Sequence, residues 1–107
     1  MTSANGSVHL HSDGETWAVH VHGDVDVDTA PRLQARLDEV LERGARVVVL
    51  HLDGVSFLDS SGLRVIAHAA NRLRDRDGQL LLEGASGAVQ RTLQITGMID
   101  RLQEEGA

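Results

Sequence analysis

The stretch Val47–Ile66, VVVLHLDGVSFLDSSGLRVI, decides the fold. It opens with VVVLHL, an apolar run without alternation, which predicts a central strand buried on both faces. Beyond the loop that follows, apolar side chains recur at spacings that fit one face of a helix: Leu63, Ile66, Ala70 and Leu73. The stretch is therefore interpreted as a buried strand, a polar loop and an amphipathic helix.

The loop supplies the start of that helix. Asp59 is the expected N-cap, because an aspartate carboxylate accepts hydrogen bonds from the first backbone N–H groups of a helix. Ser60 and Ser61 then fall in the first helical turn and are followed by Gly62. A phosphate, another anion or the carboxylate of a partner would be favoured there by open N–H groups and by the positive end of the helix dipole.

Composition excludes several classes of function. The formal charge of -6 argues against binding to nucleic acid and to an anionic membrane. The absence of Cys and Lys removes thiolate metal sites, thiol nucleophiles and the lysine chemistry of P-loops, Schiff bases and receiver domains. We expect no cofactor and no catalytic residue. Since no leader peptide or membrane-length apolar run is found, we also expect a soluble cytoplasmic protein.

The N-terminal part predicts a hairpin. Residues 1–6 are small and polar, which indicates a disordered start, and residues 7–107 suit a single domain. Asp13-Gly14 is the expected two-residue loop between two alternating segments. With that loop, Leu10 pairs with Trp17 and Val8 pairs with Val19 on one face. The opposite face then carries His9, His11, His20 and His22.

The remaining chain alternates helices with strands. An acidic loop, Gly23–Thr29, leads into a helix that Asp28 or Thr29 can cap and that Gly44 ends. After the central strand and the helix at Asp59, a strand at Gln79–Glu83 precedes a last helix, which Ser86 opens and Gly97 closes. This order predicts an α/β fold with a mixed sheet of about four strands, an antiparallel hairpin followed by right-handed βαβ units. The outward histidines place the helices mainly on one face. The residues expected to be buried are Leu33, Leu37, Val47, Val49, Leu50, Ile66 and Leu93.

Three segments resemble the STAS domain family, and within it the bacterial anti-sigma factor antagonists. Gly23–Asp26, followed by Thr29-Ala30, is similar to the family's turn after the second strand. Val55–Leu63, VSFLDSSGL, is similar to its signature almost letter for letter. Val89–Leu102, with Thr96-Gly97, resembles its last helix and the turn that follows. The three segments occur in the family's order and together span most of the chain.

The resemblance implies a binding protein without catalysis, whose signature serine is phosphorylated by an anti-sigma factor that is a serine kinase. Unphosphorylated members bind the anti-sigma factor and so free the sigma factor. Phosphorylated members dissociate from the anti-sigma factor. By position the acceptor is Ser60, with Ser61 as the alternative, and the family's partner-surface aspartate falls on Asp26. The expected partner-binding residues are Asp24, Asp26, Leu58, Asp59, Ser60, Ser61, Gly62 and Arg64. We expect a monomer or a weak homodimer.

Two departures from the family pattern bear on these expectations. Arg64 stands where antagonists often have glycine, which could alter the choice of partner. The chain ends near residue 107, where many members continue into a further helix. Within the family, the alternative is a STAS module of another assembly, such as a stress-signalling complex or a lipid or anion transporter.

Other interpretations of the same residues remain open. A serine hydrolase is one, because a serine on a strand-to-helix turn has the geometry of a nucleophile elbow, although Gly-x-Ser-x-Gly is absent and neither His51 nor His68 has an evident Asp partner. The aspartates of the acidic loop could bind a divalent cation, and histidines on paired strands could bind a transition metal. We favour a solvated loop and an exposed sheet face, with no metal. Leu58, which no periodicity requires, is a candidate for an exposed apolar contact.

Overall fold

The computed structural model describes residues 7–95. Along them run β1 (Ser7–Asp13), β2 (Thr16–His22), α1 (Ala30–Glu42), β3 (Val47–Gly54), α2 (Ser60–Asp75), β4 (Gln79–Glu83) and α3 (Gly87–Ile95). The predicted disordered start at residues 1–6 and the predicted end of the last helix at Gly97 lie outside the described residues. The order of the elements is the one expected from the sequence.

The strands form one sheet in the order β1-β2-β3-β4. β1 and β2 are antiparallel, whereas β2 and β3, and then β3 and β4, are parallel. α1 and α2 are the two crossover helices, because each connects a strand to its parallel neighbour. The expected mixed sheet, with an antiparallel hairpin followed by βαβ units, is confirmed.

The hairpin register differs by two residues from the expected one. Gly14 and Glu15 form the loop, so that Leu10 pairs with Val19, and the predicted pairing of Leu10 with Trp17 is wrong. The physical reason is that Gly14 has φ +68°, and a two-residue hairpin loop favours such a glycine at its first position. Because side chains alternate with period two, a shift of two residues leaves each strand face unchanged. The histidines of β1 and β2 therefore still face away from the helices.

The core lies between one face of the sheet and the helices. Trp17 is the single aromatic side chain in it, and the other members are aliphatic or alanine. Burial is confirmed for five of the seven residues expected there: Leu33, Leu37, Leu50, Ile66 and Leu93. α1 and α2 are also joined on their outer side by an ion pair, in which Arg72 Nη1 lies 2.6 Å from Asp38 Oδ1.

The central strand is buried on one face only, so the prediction for Val47 and Val49 is wrong. Val48, Leu50 and Leu52 are fully buried beneath the helices, while Val47 and Val49 are half-buried on the other face. No described helix packs on that outer face, and its side chains are shielded by their neighbours in the sheet. His20 and His51, for example, stack with ring centroids 4.3 Å apart.

The loops after β2 and β3 leave the sheet at the same edge, because these two strands are parallel. Their pairing continues past the strand ends. The Gly23 N–H donates to the Gly54 carbonyl at 2.9 Å, and Val25 and Leu58 then form an isolated parallel bridge. The acidic loop is thereby attached to the segment that leads into α2.

Candidate functional site

Two backbone hydrogen bonds hold the acidic loop against the start of α2. The Val25 N–H donates to the Phe57 carbonyl at 2.9 Å, and the Asp59 N–H donates to the Val25 carbonyl at 3.1 Å. Asp24 is attached to the same segment, since the Ser56 hydroxyl lies 3.2 Å from its Oδ1. The tertiary fold therefore brings the predicted site residues Asp24 and Asp59 onto paired segments.

Asp59 is the N-cap of α2, as predicted. Its Oδ1 accepts hydrogen bonds from the Ser61 N–H at 2.8 Å and the Gly62 N–H at 3.3 Å. The expectation of open N–H groups in this turn is wrong for these two residues, because the cap already satisfies them. An anion added at Ser60 would gain from the helix dipole but would also lie beside the carboxylate of the preceding residue.

The two serines of the signature are not equally accessible. Ser60 is the first residue of α2 and is exposed, whereas Ser61 is half-buried. Arg64, one helical turn after Ser60, is also exposed. Residues four apart on a helix are surface neighbours, so Ser60 and Arg64 share one accessible strip of α2.

Gly62 is buried where the bridge packs on the helix. A Cβ at this position would lie 2.7 Å from Val25 Cγ1 and 2.8 Å from Leu58 Cδ1, too close for an unshifted contact. The absence of a side chain at Gly62 therefore allows Val25 and Leu58 to approach the first turn of α2. Its contribution to the site is steric.

Asp26 organises the turn that precedes α1. Its Oδ1 accepts from the Asp28 N–H at 3.0 Å and the Thr29 N–H at 3.1 Å, and its carbonyl accepts from the Ala30 N–H at 2.7 Å. Thr29 occupies the predicted N-cap position but makes no side-chain cap bond. Its hydroxyl instead donates to the Asp24 carbonyl at 2.8 Å and accepts from the Asp26 N–H at 2.9 Å. The loop is thus internally bonded, with Asp26 at its centre.

Leu58 is buried, with only 4% of its surface exposed, so the prediction of an exposed apolar contact there is wrong. Its pairing with Val25 turns it into the core. The exposed large hydrophobic residues of the described chain are instead Phe57, at 50%, and Val27, at 69%. Neither residue was predicted from the sequence. Neighbouring side chains in an extended segment face opposite ways, and the pairing of Leu58 with Val25 decides that Leu58 faces the core and Phe57 faces solvent.

The structure locates several of the histidines and carboxylates that were considered for catalysis or metal binding. His51 lies on the outer face of β3, where its Nδ1 is 3.8 Å from Glu83 Oε1, and its ring stacks on that of His20. Among residues 7–95, no group of three or more histidine or carboxylate side chains is placed to hold a metal ion. None of the helices described is both long and apolar enough to cross a membrane.

Comparison with known proteins identifies the family. The family described as "STAS domain" matches residues 8–104. The chain belongs to the STAS domain family. This STAS domain is 30% identical over 96 residues to the anti-sigma-B factor antagonist of Staphylococcus aureus (strain NCTC 8325 / PS 47), covering 90% of this chain and 89% of the relative.

Solved structures agree with the fold of this STAS domain. The anti-sigma factor antagonist SpoIIAA in its unphosphorylated form matches with a TM-score of 0.80 at 20% identity, over 88% of this chain and 84% of that one. A sulfate transporter family protein from Wolinella succinogenes matches with a TM-score of 0.73 at 27% identity, over 85% of this chain and 74% of that one. The resemblance to the STAS family and the expected α/β fold are therefore both confirmed.

Proposed function

We propose that this STAS domain is a non-catalytic anti-sigma factor antagonist, which binds an anti-sigma factor of the serine-kinase type and is released by phosphorylation of Ser60. The observation that carries the proposal is the exposure of Ser60 at the first residue of α2. Ser61, the alternative acceptor, is half-buried and thus less open to a kinase. The relative in Staphylococcus aureus, named an anti-sigma-B factor antagonist, supports the same role.

The partner surface comprises the start of α2 and the acidic loop bridged to it. Asp24 and Asp26 lie on the loop, Asp59 and Ser60 begin the helix, and Arg64 follows one turn later. In the unphosphorylated state these groups are available to an anti-sigma factor that presents complementary charges. The protein acts in the cytoplasm, as a monomer or a weak homodimer.

Phosphorylation acts on this surface through charge. A phosphoryl group adds about -1.5 to -2 charges at neutral pH, here next to the Asp59 carboxylate and near the acidic loop. A partner that docks on the surface must remove water from that group, which is costly unless a new cation pairs with it. A loss of about 3 kcal/mol in binding free energy would correspond to more than a hundredfold in Kd, enough to change a mostly bound protein into a mostly free one.

The experiment compares Ser60→Ala, Ser60→Asp and Ser61→Ala with the wild type. Each protein is incubated with ATP and the purified anti-sigma factor kinases of the source organism, and labelled sites are located by phosphopeptide mapping. Binding is then titrated by calorimetry. We expect label on Ser60 in the wild type and in Ser61→Ala, binding without release for Ser60→Ala, and binding weaker by about a hundredfold for Ser60→Asp.

Ser61→Ala serves as the matched control, since it removes the neighbouring hydroxyl from the same helical turn. Label on Ser61 alone would move the acceptor by one residue. No label from any kinase, together with unchanged binding of Ser60→Asp, would refute the mechanism. A hydrolytic activity that disappears in Ser60→Ala would refute the non-catalytic assignment.

The second candidate is a STAS module that serves another assembly. The similarity to the sulfate transporter family protein from Wolinella succinogenes favours it, at 27% identity. The two functions differ in the partner that a pull-down from the source cell recovers. An anti-sigma factor supports the first proposal, and a membrane transporter or a stress-signalling complex supports the second.

A further inference from the structure

Phe57 and Val27 are the large hydrophobic side chains that the described part of the chain leaves exposed, at 50% and 69%. Both lie within two residues of the bridge between Val25 and Leu58, one on each of the paired segments. Exposed apolar side chains scattered singly over a surface need no explanation. Here the exposed large apolar side chains of residues 8–93 fall at the edge that carries Ser60.

Neither side chain is required by the local backbone. The Phe57 carbonyl accepts a hydrogen bond from the Val25 N–H at 2.9 Å. A residue of any type could make this backbone bond. Val27 lies inside the turn closed by Asp26, whose Oδ1 accepts from the Asp28 N–H at 3.0 Å. Val27 is 69% exposed and Phe57 keeps half of its surface in solvent, so neither side chain fills the core. Their apolar character is therefore better explained by a contact outside this chain.

Hydrogen bonds hold the backbone at both Phe57 and Val27. Val27 lies between Asp26 and Asp28 in a turn that has a side-chain hydrogen bond across it, and Phe57 lies in a segment paired with the loop. A backbone that is held in place before binding loses less entropy on association. Large aromatic residues in such positions are typical of the few residues that supply most of the affinity of an interface.

The charges around the pair indicate the chemistry of the occupant. Asp24, Asp26 and Asp59 lie on the same two segments, and the chain as a whole carries a formal charge of -6. A complementary partner surface would have an apolar depression for the two side chains and a rim of Arg or Lys. A second copy of this acidic chain fits such a surface poorly, because its own acidic loop would face like charge.

We infer that Phe57 and Val27 are the apolar anchors by which this STAS domain binds its anti-sigma factor, and that the partner receives them in an apolar depression with a basic rim. The inference rests on the proposed function and assigns separate tasks within it. The anchors supply affinity, while Ser60 supplies the change of charge that ends binding. Truncating an anchor therefore weakens docking and leaves the chemistry of phosphoryl transfer unchanged.

The test uses Phe57→Ala, Phe57→Leu and Val27→Ala, with His11→Ala as the control. His11 is an exposed ring on the outer face of β1, near the opposite end of the strand from the site, so its removal alters a similar area elsewhere. Each variant is titrated against the anti-sigma factor kinase that labels wild-type Ser60. KM and kcat for phosphorylation are measured with the same kinase, and urea unfolding checks that each variant is folded.

We expect Kd to rise about thirtyfold or more for Phe57→Ala and about fivefold for Val27→Ala, whereas Phe57→Leu restores most of the affinity. KM for the protein substrate should rise in parallel while kcat stays within about twofold of the wild type, which separates docking from chemistry. His11→Ala should leave both constants unchanged.

Binding of folded Phe57→Ala and Val27→Ala within about twofold of the wild type would overturn the inference and leave the proposed function standing. An equal loss in His11→Ala would overturn it as well, because the effect would then not be local. A wild-type protein that no anti-sigma factor kinase binds or labels would overturn the proposed function itself, and the assignment of the anchors to an anti-sigma factor with it.

Discussion

Val25 and Leu58 pair as a parallel bridge beyond the ends of β2 and β3, and both side chains are buried, with 2% and 4% of their surfaces exposed. The bridge joins the acidic loop to the segment that begins α2. Because Gly62 has no side chain, the two residues can pack directly on the first helical turn. The relative position of Asp26 and Ser60 thus depends on apolar packing beneath them.

Gly62→Ala should destabilise the protein. The new Cβ would meet Val25 Cγ1 at 2.7 Å and Leu58 Cδ1 at 2.8 Å, and overpacking of this kind costs about 1–3 kcal/mol in the free energy of unfolding. Gly87→Ala is the matched control, since a Cβ there meets nothing within 4 Å. Urea unfolding of both variants measures the difference, and a Gly62→Ala protein at least as stable as the wild type would contradict close packing of Val25 and Leu58 on Gly62.

Leu80 and Leu81 provide a paired test of the one-sided core. Leu80 is 2% exposed beneath the helices, while Leu81, its neighbour in β4, is half-buried on the outer face. Leu80→Ala should lower the free energy of unfolding by about 2–5 kcal/mol, and Leu81→Ala should lower it by clearly less. Thermal or urea unfolding under identical conditions measures both. Equal losses would indicate that the outer face is covered as fully as the inner one.

Asp26→Asn should separate the charge of Asp26 from its role in the turn. An asparagine Oδ1 can still accept from the Asp28 and Thr29 N–H groups, so the free energy of unfolding should stay within about 0.5 kcal/mol of the wild type. Asp26→Ala removes the acceptor and should cost about 1 kcal/mol. Under the proposed function, both variants bind the anti-sigma factor more weakly. Unaltered binding of Asp26→Asn would show that the partner does not use this charge.

Ser60 and Arg64 should become coupled when Ser60 carries a negative charge. They are four residues apart on α2 and both are exposed, the arrangement in which a negative residue followed by a positive one stabilises a helix by about 0.2–0.5 kcal/mol. A double-mutant cycle of Ser60→Asp and Arg64→Gln, followed by urea unfolding at low salt, measures the coupling. A coupling that is absent at low salt, or that does not weaken as salt is added, would contradict an ion pair between these positions.

Local sequence patterns determined the order of elements, the N-cap at Asp59 and the buried stripes of the helices. These features follow from contacts between residues near each other in the chain, such as the Asp59 carboxylate with the Ser61 N–H. The face assignment of the hairpin was also readable, because side chains in a strand alternate with period two. The predicted strand pairing was two residues off. The expected loop, Asp13-Gly14, and the observed loop, Gly14-Glu15, both contain Gly14 and differ only in whether it is the second or the first loop residue.

Tertiary structure alone decided how fully each face of β3 is covered and which side chains are exposed at the site. The run at Val47–Leu52 is apolar throughout, and only the placement of the helices on one face shows that Val49 is half-buried while Val48 is fully buried. Leu58 is buried and Phe57 exposed because a distant residue, Val25, pairs with Leu58. Val25 and Leu58 are far apart in the sequence. The free energy gained by burying both side chains against Gly62 holds the acidic loop next to Ser60.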